Sequence, residues 1–101
     1  MNSNGKEQNS QVNPFEGEEI KFPVTFQLKA VMVGTGKDDT HKSELEGVFT
    51  KQKVAFKYLD KKESSKGAYT SFTYQVTLDN RVQMDALYAD LKKIKELKFA
   101  I

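Results

Sequence analysis

Apolar and polar residues alternate along four segments of the chain, which is the pattern of β-strands buried on one side. In the first segment Phe22, Phe26 and Leu28 alternate with polar side chains. The four segments are residues 22–32, 54–58, 71–78 and 97–101. We therefore predict four strands, each with one face in a hydrophobic core.

Two segments with the spacing of amphipathic helices separate these strands. The first, residues 39–51, follows a break at Gly34 and Gly36, and its apolar stripe is thin. The second follows Asn80, which matches a helix capping box with Gln83, and its apolar stripe is strong. We predict a short helix after the first strand and a well-defined helix before the last strand.

The predicted order is β-α-β-β-α-β, and a polar connection at residues 61–67 joins the second and third strands. Short connections and right-handed crossovers leave one economical arrangement for this order. It is an α+β ferredoxin-like sandwich, in which a four-stranded antiparallel sheet carries two helices on one face. We predict this fold for residues 21–101.

Residues 1–20 differ in composition from the rest of the chain. They are rich in Asn, Ser, Gln, Glu and Gly, and one lysine against four glutamates gives them a net charge of −3. Such a segment buries too little apolar surface to offset the entropy lost on ordering. We predict a disordered N-terminal tail, with a partner-binding arm through Phe15 as the alternative.

The composition excludes several classes of protein. The chain has no cysteine, which excludes disulfides, iron–sulfur clusters, thiolate zinc sites and cysteine nucleophiles. It has no run of about 20 apolar residues that could cross a membrane, and its first residues do not form a secretory signal. We expect a soluble protein of the cytoplasm.

No set of side chains matches a catalytic or metal site. His41 is the single histidine, and metal binding needs three or four convergent ligands, so we expect His41 at the surface or at an edge. The loop at residues 34–37 fails both common phosphate-binding motifs, and no serine has a histidine that must lie nearby. We expect no catalytic residue, no cofactor and no metal, and hence no enzyme.

Three stretches of the sequence carry a resemblance. They are Phe22-Pro23-x-x-Phe26-x-Leu28-Lys29, Ser64-Ser65-Lys66-Gly67-x-Tyr69-x-Ser71 and Leu87-Tyr88-x-x-Leu91-x-x-Ile94. Over residues 22–101 the chain resembles the YbeD-like family of small bacterial proteins of unknown function. The resemblance implies a ferredoxin-like fold, similar to the small-molecule-binding regulatory domains called ACT domains, in a cytoplasmic bacterial protein.

The middle stretch is also the best candidate for a binding site. Backbone N–H groups of a turn, two hydroxyls and an ammonium could converge there on an anion. The predicted ligand-binding or partner-binding residues are Ser64, Ser65, Lys66, Gly67, Tyr69 and Ser71. The alternative is a plain turn, in which Gly67 relieves backbone strain and Lys66 stays in water.

Strand periodicity predicts which side chains face away from the helices. The predicted members of that face are Thr25, Gln27, Lys29, Lys57, Tyr69, Ser71, Thr73, Gln75 and Lys98, without a carboxylate. Leu97, Phe99 and Ile101 should point into the core instead. The outward face is either solvated or pairs with a second copy or a partner protein.

We conclude from the sequence that the chain is a non-enzymatic, ACT-like regulatory or binding module for a small molecule or a protein. The alternative is an RNA-binding module of the same topology. Its phosphate-binding residues would be Lys29, Lys57, Lys66 and Lys98. RNA-binding modules stack bases on aromatic side chains of the third strand, but Ala68 and Thr70 occupy those positions, which disfavours nucleic acid.

Overall fold

The computed structural model describes residues 15, 17 and 19–101 of the chain. These residues form β1 (Val24–Val33), α1 (Asp38–Lys51), β2 (Ala55–Glu63), β3 (Tyr69–Leu78), α2 (Arg81–Leu91) and β4 (Leu97–Ala100). The strands form one antiparallel sheet in the order β2-β3-β1-β4, and both helices pack on the same face of it. The predicted ferredoxin-like fold is confirmed.

The two central strands, β1 and β3, alternate as their sequences predict. They pair along their full length. Leu28, Phe72 and Tyr74 are fully buried beneath the helices, whereas Ser71 and Thr73 are half-buried on the opposite face. The core therefore lies between one face of the sheet and the two helices.

An aromatic cluster attaches the edge strand β2 to α1. The ring of Tyr74 lies 4.9 Å from that of Phe49, 5.9 Å from Phe56 and 5.5 Å from Tyr58. Each such pair contributes about 0.5–1.5 kcal/mol beyond the burial of its area. The ammonium of Lys42 lies 4.0 Å from the centre of the Tyr58 ring and covers the outer side of the cluster.

Gln83 connects the start of α2 to the end of α1. Its backbone N–H donates to the Asn80 side chain at 2.8 Å, which confirms the predicted cap. Its side-chain amide donates to the carbonyls of Gln52 at 3.1 Å and Lys53 at 3.0 Å. Carbonyls at the end of a helix lack helical partners, so the Gln83 side chain satisfies two of them at the end of α1 while its backbone N–H is satisfied at the start of α2.

A β-bulge in β2 corrects one sequence prediction. Tyr58 pairs with Tyr74, and the next paired residue, Asp60, lies opposite Thr73, which leaves Leu59 as the extra residue. A bulge changes the side of the sheet on which the following side chains lie. Asp60 therefore shares the outward face with Thr73, and the prediction that this face lacks a carboxylate is wrong.

A second irregularity, in β4, corrects another prediction. The register of β4 against β1 shifts at Lys98, which is an extra residue between two pairs. As a result Ala100 is fully buried, whereas Phe99 is half-buried on the outward face and Ile101 is 49% exposed. The prediction that Phe99 and Ile101 point into the core is wrong, because simple alternation does not allow for a bulge.

The predicted tail lies largely outside the described residues, which omit residues 1–14, 16 and 18. Phe15 packs edge-on against Phe26 with 4.8 Å between ring centres, and its carbonyl accepts a hydrogen bond from the Arg81 guanidinium at 3.1 Å. Within the described part of the chain, no helix is both long and apolar enough to cross a membrane.

Candidate functional site

The open face is the side of the sheet that carries no helix. Its members in β1 and β2 are Thr25, Gln27, Lys29, Val31, Val33, Lys57, Asp60 and Lys62. Its members in β3, in β4 and at the end of the chain are Tyr69, Ser71, Thr73, Gln75, Thr77, Lys98, Phe99 and Ile101. Compared with the sequence prediction, the open face is more apolar, and it carries one carboxylate.

The first depression of the open face lies beside the turn between β2 and β3. Its volume is about 280 Å³, and it is lined by Val31, Lys62, Glu63, Ser64, Tyr69, Ser71 and Phe99. Val31 pairs with Ser71 on one side and with Phe99 on the other, so it lies centrally between them. Tyr69 and Phe99 are half-buried, which leaves part of each ring accessible.

The structure brings three of the six predicted site residues into this depression, namely Ser64, Tyr69 and Ser71. Ser65, Lys66 and Gly67 form the exposed turn beside it. This turn, residues 64–68, is shorter than the predicted connection, because β2 continues to Glu63. The assignment of these residues to a binding site stays a prediction.

Hydrogen bonds within the turn engage Ser64. Its hydroxyl accepts from the backbone N–H groups of Ala68 and Tyr69, both at 3.1 Å. The N–H of Gly67 donates to the Ser64 carbonyl at 3.0 Å, and Gly67 has a φ of +72°, which favours glycine. Ser64 thus stabilises the turn, while Tyr69 and Ser71 present their side chains to the depression.

The second depression lies further along the open face. Its volume is about 600 Å³, and it is lined by Gln27, Lys29, Leu59, Asp60, Thr73 and Ile101. Sequence reasoning missed Leu59, Asp60 and Ile101, because they reach this face through a bulge or at the end of an irregular strand. Neither bulge has a glycine or another local signal in the sequence.

The lysines divide into two groups by their electrostatic partners. Within the described residues, the lysines that pair with carboxylates lie on the helix side of the sheet or at its rim, and they are Lys37, Lys51, Lys61 and Lys93. In the same part of the chain the other ten lysines have no carboxylate within ion-pair distance, and four of these ten, Lys29, Lys57, Lys62 and Lys98, lie on the open face. The Lys98 ammonium lies 5.7 Å from the centre of the Tyr69 ring, which places it at the open face.

His41 lies on the other side of the sheet and is fully buried. The prediction of a surface or edge position is wrong: His41 extends the thin stripe of α1 and packs edge-on against Phe72, with ring centres 5.9 Å apart. Its Nε2 lies 3.1 Å from Oε1 of Glu96, while its Nδ1 is buried without a hydrogen-bond partner. Among the described residues, no three metal-binding side chains form a cluster.

The loop before α1 is held by the rest of the fold. The buried hydroxyl of Thr70 donates to the carbonyl of Gly34 at 2.7 Å, and the N–H of Gly34 donates to the Ala68 carbonyl at 2.7 Å. At the start of α1, Asp38 pairs with Lys61 of β2. Two carboxylates in the first turn of α1, those of Asp38 and Asp39, would repel a phosphate from this helix start.

Comparisons with known proteins place the sequence and the fold among related chains. A family model described as a protein of unknown function (DUF493) matches residues 17–101. A UPF0250 protein from Shewanella woodyi is 32% identical over 81 residues, which are 80% of this chain and 89% of that protein. The solution structure of protein HP0495 from H. pylori superposes with a TM-score of 0.66 at 14% identity, over 87% of this chain and 93% of that one. This structural similarity supports the fold.

Proposed function

This chain belongs to the DUF493 family of proteins of unknown function, and we propose that it acts as a non-enzymatic, ACT-like regulatory or binding module of the bacterial cytoplasm. Its partner is a small molecule or a protein. The partner binds on the open face, at the depression between Tyr69 and Phe99. The predicted site residues Ser64, Ser65, Lys66, Gly67, Tyr69 and Ser71 form the turn side of this surface.

One observation carries the proposal. The helices cover the inner face of the central strands β1 and β3, whereas the other face exposes two half-buried aromatic rings, Tyr69 and Phe99, on either side of Val31. Binding sites are typically concave and mostly apolar, with a few polar groups that orient the partner. The ammonium of Lys62 supplies one such group at this depression, and the hydroxyl of Ser71, which donates to the Lys62 carbonyl at 3.4 Å, can accept a further hydrogen bond there.

The polar groups that could serve catalysis are engaged elsewhere, which supports a non-enzymatic role. The Ser64 hydroxyl already accepts two backbone hydrogen bonds in the turn. His41, the single histidine of the chain, is buried on the opposite side of the sheet beside Glu96. A nucleophile and its base must lie within hydrogen-bond reach, and these groups are separated by the sheet.

Thermal-shift measurements on the full chain would test the proposal with a panel of amino acids, nucleotides and small carboxylic acids. We expect at least one compound to raise Tm, and Tyr69→Ala or Lys66→Ala to reduce that shift. Val82→Ala is the matched control, because Val82 is 78% exposed on the helix side and its loss should leave the shift unchanged. An undiminished shift in both site variants would contradict the site assignment.

Binding of single-stranded RNA is the second candidate function, and one observation favours it. The bulge in β4 brings Phe99 to the face that already carries Tyr69 and Lys98, so two aromatic rings lie near a cation. RNA held by lysines should dissociate steeply as salt rises. Electrophoretic mobility shifts at low salt, repeated with Tyr69→Ala, would show this, and the absence of any shift would exclude RNA.

A further inference from the structure

The open face carries an excess of positive charge. Four of its lysines, Lys29, Lys57, Lys62 and Lys98, have no carboxylate within ion-pair distance among the described residues. Against them stands one carboxylate of the face, Asp60, so four positive charges and one negative charge leave a net of +3. Glu63 also lines the depression at Val31 and Phe99 and lowers this excess there, although it lies 3.5 Å from the ammonium of Lys61.

The same face is apolar at several points along its length. Val33 is 42% exposed, Leu59 is 37% exposed and Ile101 is 49% exposed, and these are three of the five large exposed hydrophobic residues of the described chain. Val31 and Phe99 lie between them and are half-buried. Exposed apolar groups rimmed by charge are typical of surfaces that bind another protein.

We propose that the open face binds an acidic, amphipathic segment of another protein. Apolar side chains of the segment occupy the depression at Val31 and Phe99, and its carboxylates pair with Lys29, Lys62 and Lys98 at the periphery. This inference rests on the proposed function and names the class of partner. A helix is the form that suits the surface, since a helix on the open face would mirror the helices that cover the other face of the sheet.

A second copy of this chain is disfavoured as the occupant by charge. A twofold symmetric interface brings the same patch of each copy together. The four lysines would then face four lysines, with two Asp60 carboxylates to compensate. Like charges that meet in an interface select against that partner.

A nucleic acid suits the open face less well than an acidic protein segment does. Recognition of single strands depends on aromatic side chains that stack against bases. The open face offers Tyr69 and Phe99, and the Lys98 ammonium already lies over the Tyr69 ring. The one arginine of the chain, Arg81, which could stack on a base, lies on α2 and not on this face.

Amide chemical-shift titrations of the full chain test the proposal with defined peptides. The probe is a synthetic peptide of about 16 residues, about four helical turns, with leucines on one face and glutamates on the other. One control peptide replaces the glutamates by glutamines, another replaces them by lysines, and a short single-stranded RNA is the fourth probe. We expect the acidic peptide to have the lowest Kd of the four probes. The largest changes in amide chemical shift should be those of Val31, Ser71 and Phe99.

Charge-reversed variants make the test specific for the open face. We expect the double variant Lys29→Glu, Lys98→Glu to weaken the acidic peptide about tenfold, since two surface ion pairs are lost and two repulsions are gained. The matched control is Lys92→Glu, Lys95→Glu, which makes the same change in net charge at exposed positions outside the sheet. This control should change the Kd by less than about twofold. Thermal melting would verify that both variants fold.

The outcomes separate the two proposals. If the glutamine peptide binds the open face as tightly as the acidic peptide, the proposal of an acidic partner is overturned, while the open face is supported as a binding surface. Tighter binding of the lysine peptide or of RNA, no binding of the acidic peptide, or equal weakening by the control variant would also overturn the acidic partner. Shifts confined to the helices would count against both proposals.

Discussion

The Nε2 of His41 lies 3.1 Å from Oε1 of Glu96, and this contact joins the first turn of α1 to the segment that precedes β4. Lys37 donates to the other oxygen of the same carboxylate at 3.0 Å. One carboxylate thus ties the loop before α1, the helix itself and the start of the last strand. His41 is fully buried, and its neighbours Glu96 and Phe72 hold its ring in place.

Acid should therefore weaken the fold partly through Glu96. The hydrogen bond from Lys37, and then that from His41, lower the pKa of Glu96 below its usual 4.5. A lowered folded-state pKa contributes stability above the unfolded value, which is lost as the pH falls through the folded value. We expect Glu96→Gln to reduce stability at neutral pH and to flatten its decline in acid.

Urea denaturation at neutral and acid pH would measure this effect. Glu44→Gln is the matched control, because Glu44 is an exposed glutamate of α1. We expect the control to keep the acid dependence of the wild type. Identical acid profiles for Glu96→Gln and the wild type would contradict the role of Glu96.

A buried hydroxyl on α2 predicts a stabilising substitution. The hydroxyl oxygen of Tyr88 is buried and has no hydrogen-bond partner in the described structure. An unsatisfied buried polar group costs about 1–3 kcal/mol, so Tyr88→Phe should leave the free energy of unfolding unchanged or raise it by about 1 kcal/mol. Chemical denaturation measures the difference.

Tyr74→Phe is the matched comparison for Tyr88→Phe. The hydroxyl of Tyr74 donates to the Glu46 carboxylate at 2.8 Å, so its removal should lower the free energy of unfolding by about 1 kcal/mol. We therefore expect Tyr74→Phe to lower the free energy of unfolding and Tyr88→Phe not to lower it. A larger loss in Tyr88→Phe than in Tyr74→Phe would contradict the assignment of the unpaired hydroxyl.

The same two tyrosines predict instability in alkali. Burial raises the pKa of Tyr74, with a further contribution from Glu46, and burial raises the pKa of Tyr88. Both lie above the usual value of 10.0. Their neutral forms stabilise the fold below pH 10, and this contribution is lost progressively as the pH rises above it, because the unfolded chain then ionises more readily.

Tyrosinate absorbance and circular dichroism, recorded together as the pH rises, would check this. We expect part of the tyrosinate signal to appear in step with loss of secondary structure. The double variant Tyr74→Phe, Tyr88→Phe should lose that coincident part. Complete titration of the tyrosines in a fully folded chain would contradict the prediction.

The end of α1 predicts a further stabilising change. Lys53 has a φ of +60°, and the N–H of Val54 after it donates to the Phe49 carbonyl at 2.8 Å, as in a Schellman cap. Glycine adopts this conformation without the side-chain strain, so Lys53→Gly should raise stability by about 0.5–1 kcal/mol.

Thr50→Gly, within the last turn of the same helix, is the control for Lys53→Gly. Glycine in a helix is destabilising, so this control should lower stability by a few tenths of a kcal/mol. Thermal melting distinguishes the two changes by sign. Destabilisation by both would mean that Lys53 makes contacts that outweigh its backbone strain.

The regular parts of the fold could be predicted from sequence because their periodicity reflects burial directly. In β1 and β3 every second side chain enters the core, so Phe72 and Tyr74 could be assigned to the inner face. The Asn80 cap of α2 was equally predictable, since capping depends on neighbouring residues. The resemblance to a family of small bacterial proteins of unknown function is confirmed as well.

The irregular parts depend on tertiary contacts that periodicity does not encode. The bulges at Leu59 and Lys98 arise where edge strands adjust to their neighbours, and they decide that Asp60 and Phe99 reach the open face. His41 is buried because, together with Leu45 and Phe49, it forms the face by which α1 packs on the sheet, where it contacts Phe72. The candidate site was therefore predicted in its β3 half and missed in its β4 half.

The bulge at Leu59 has a consequence for the behaviour of the protein at high concentration. β2 is an outer strand of the sheet, and its free edge could serve as a template onto which other chains add. The extra residue breaks the regular spacing of amides along that edge, and Lys57, Lys61 and Lys62 surround it with charge. The interruption that brings Asp60 to the open face thereby also opposes filament growth.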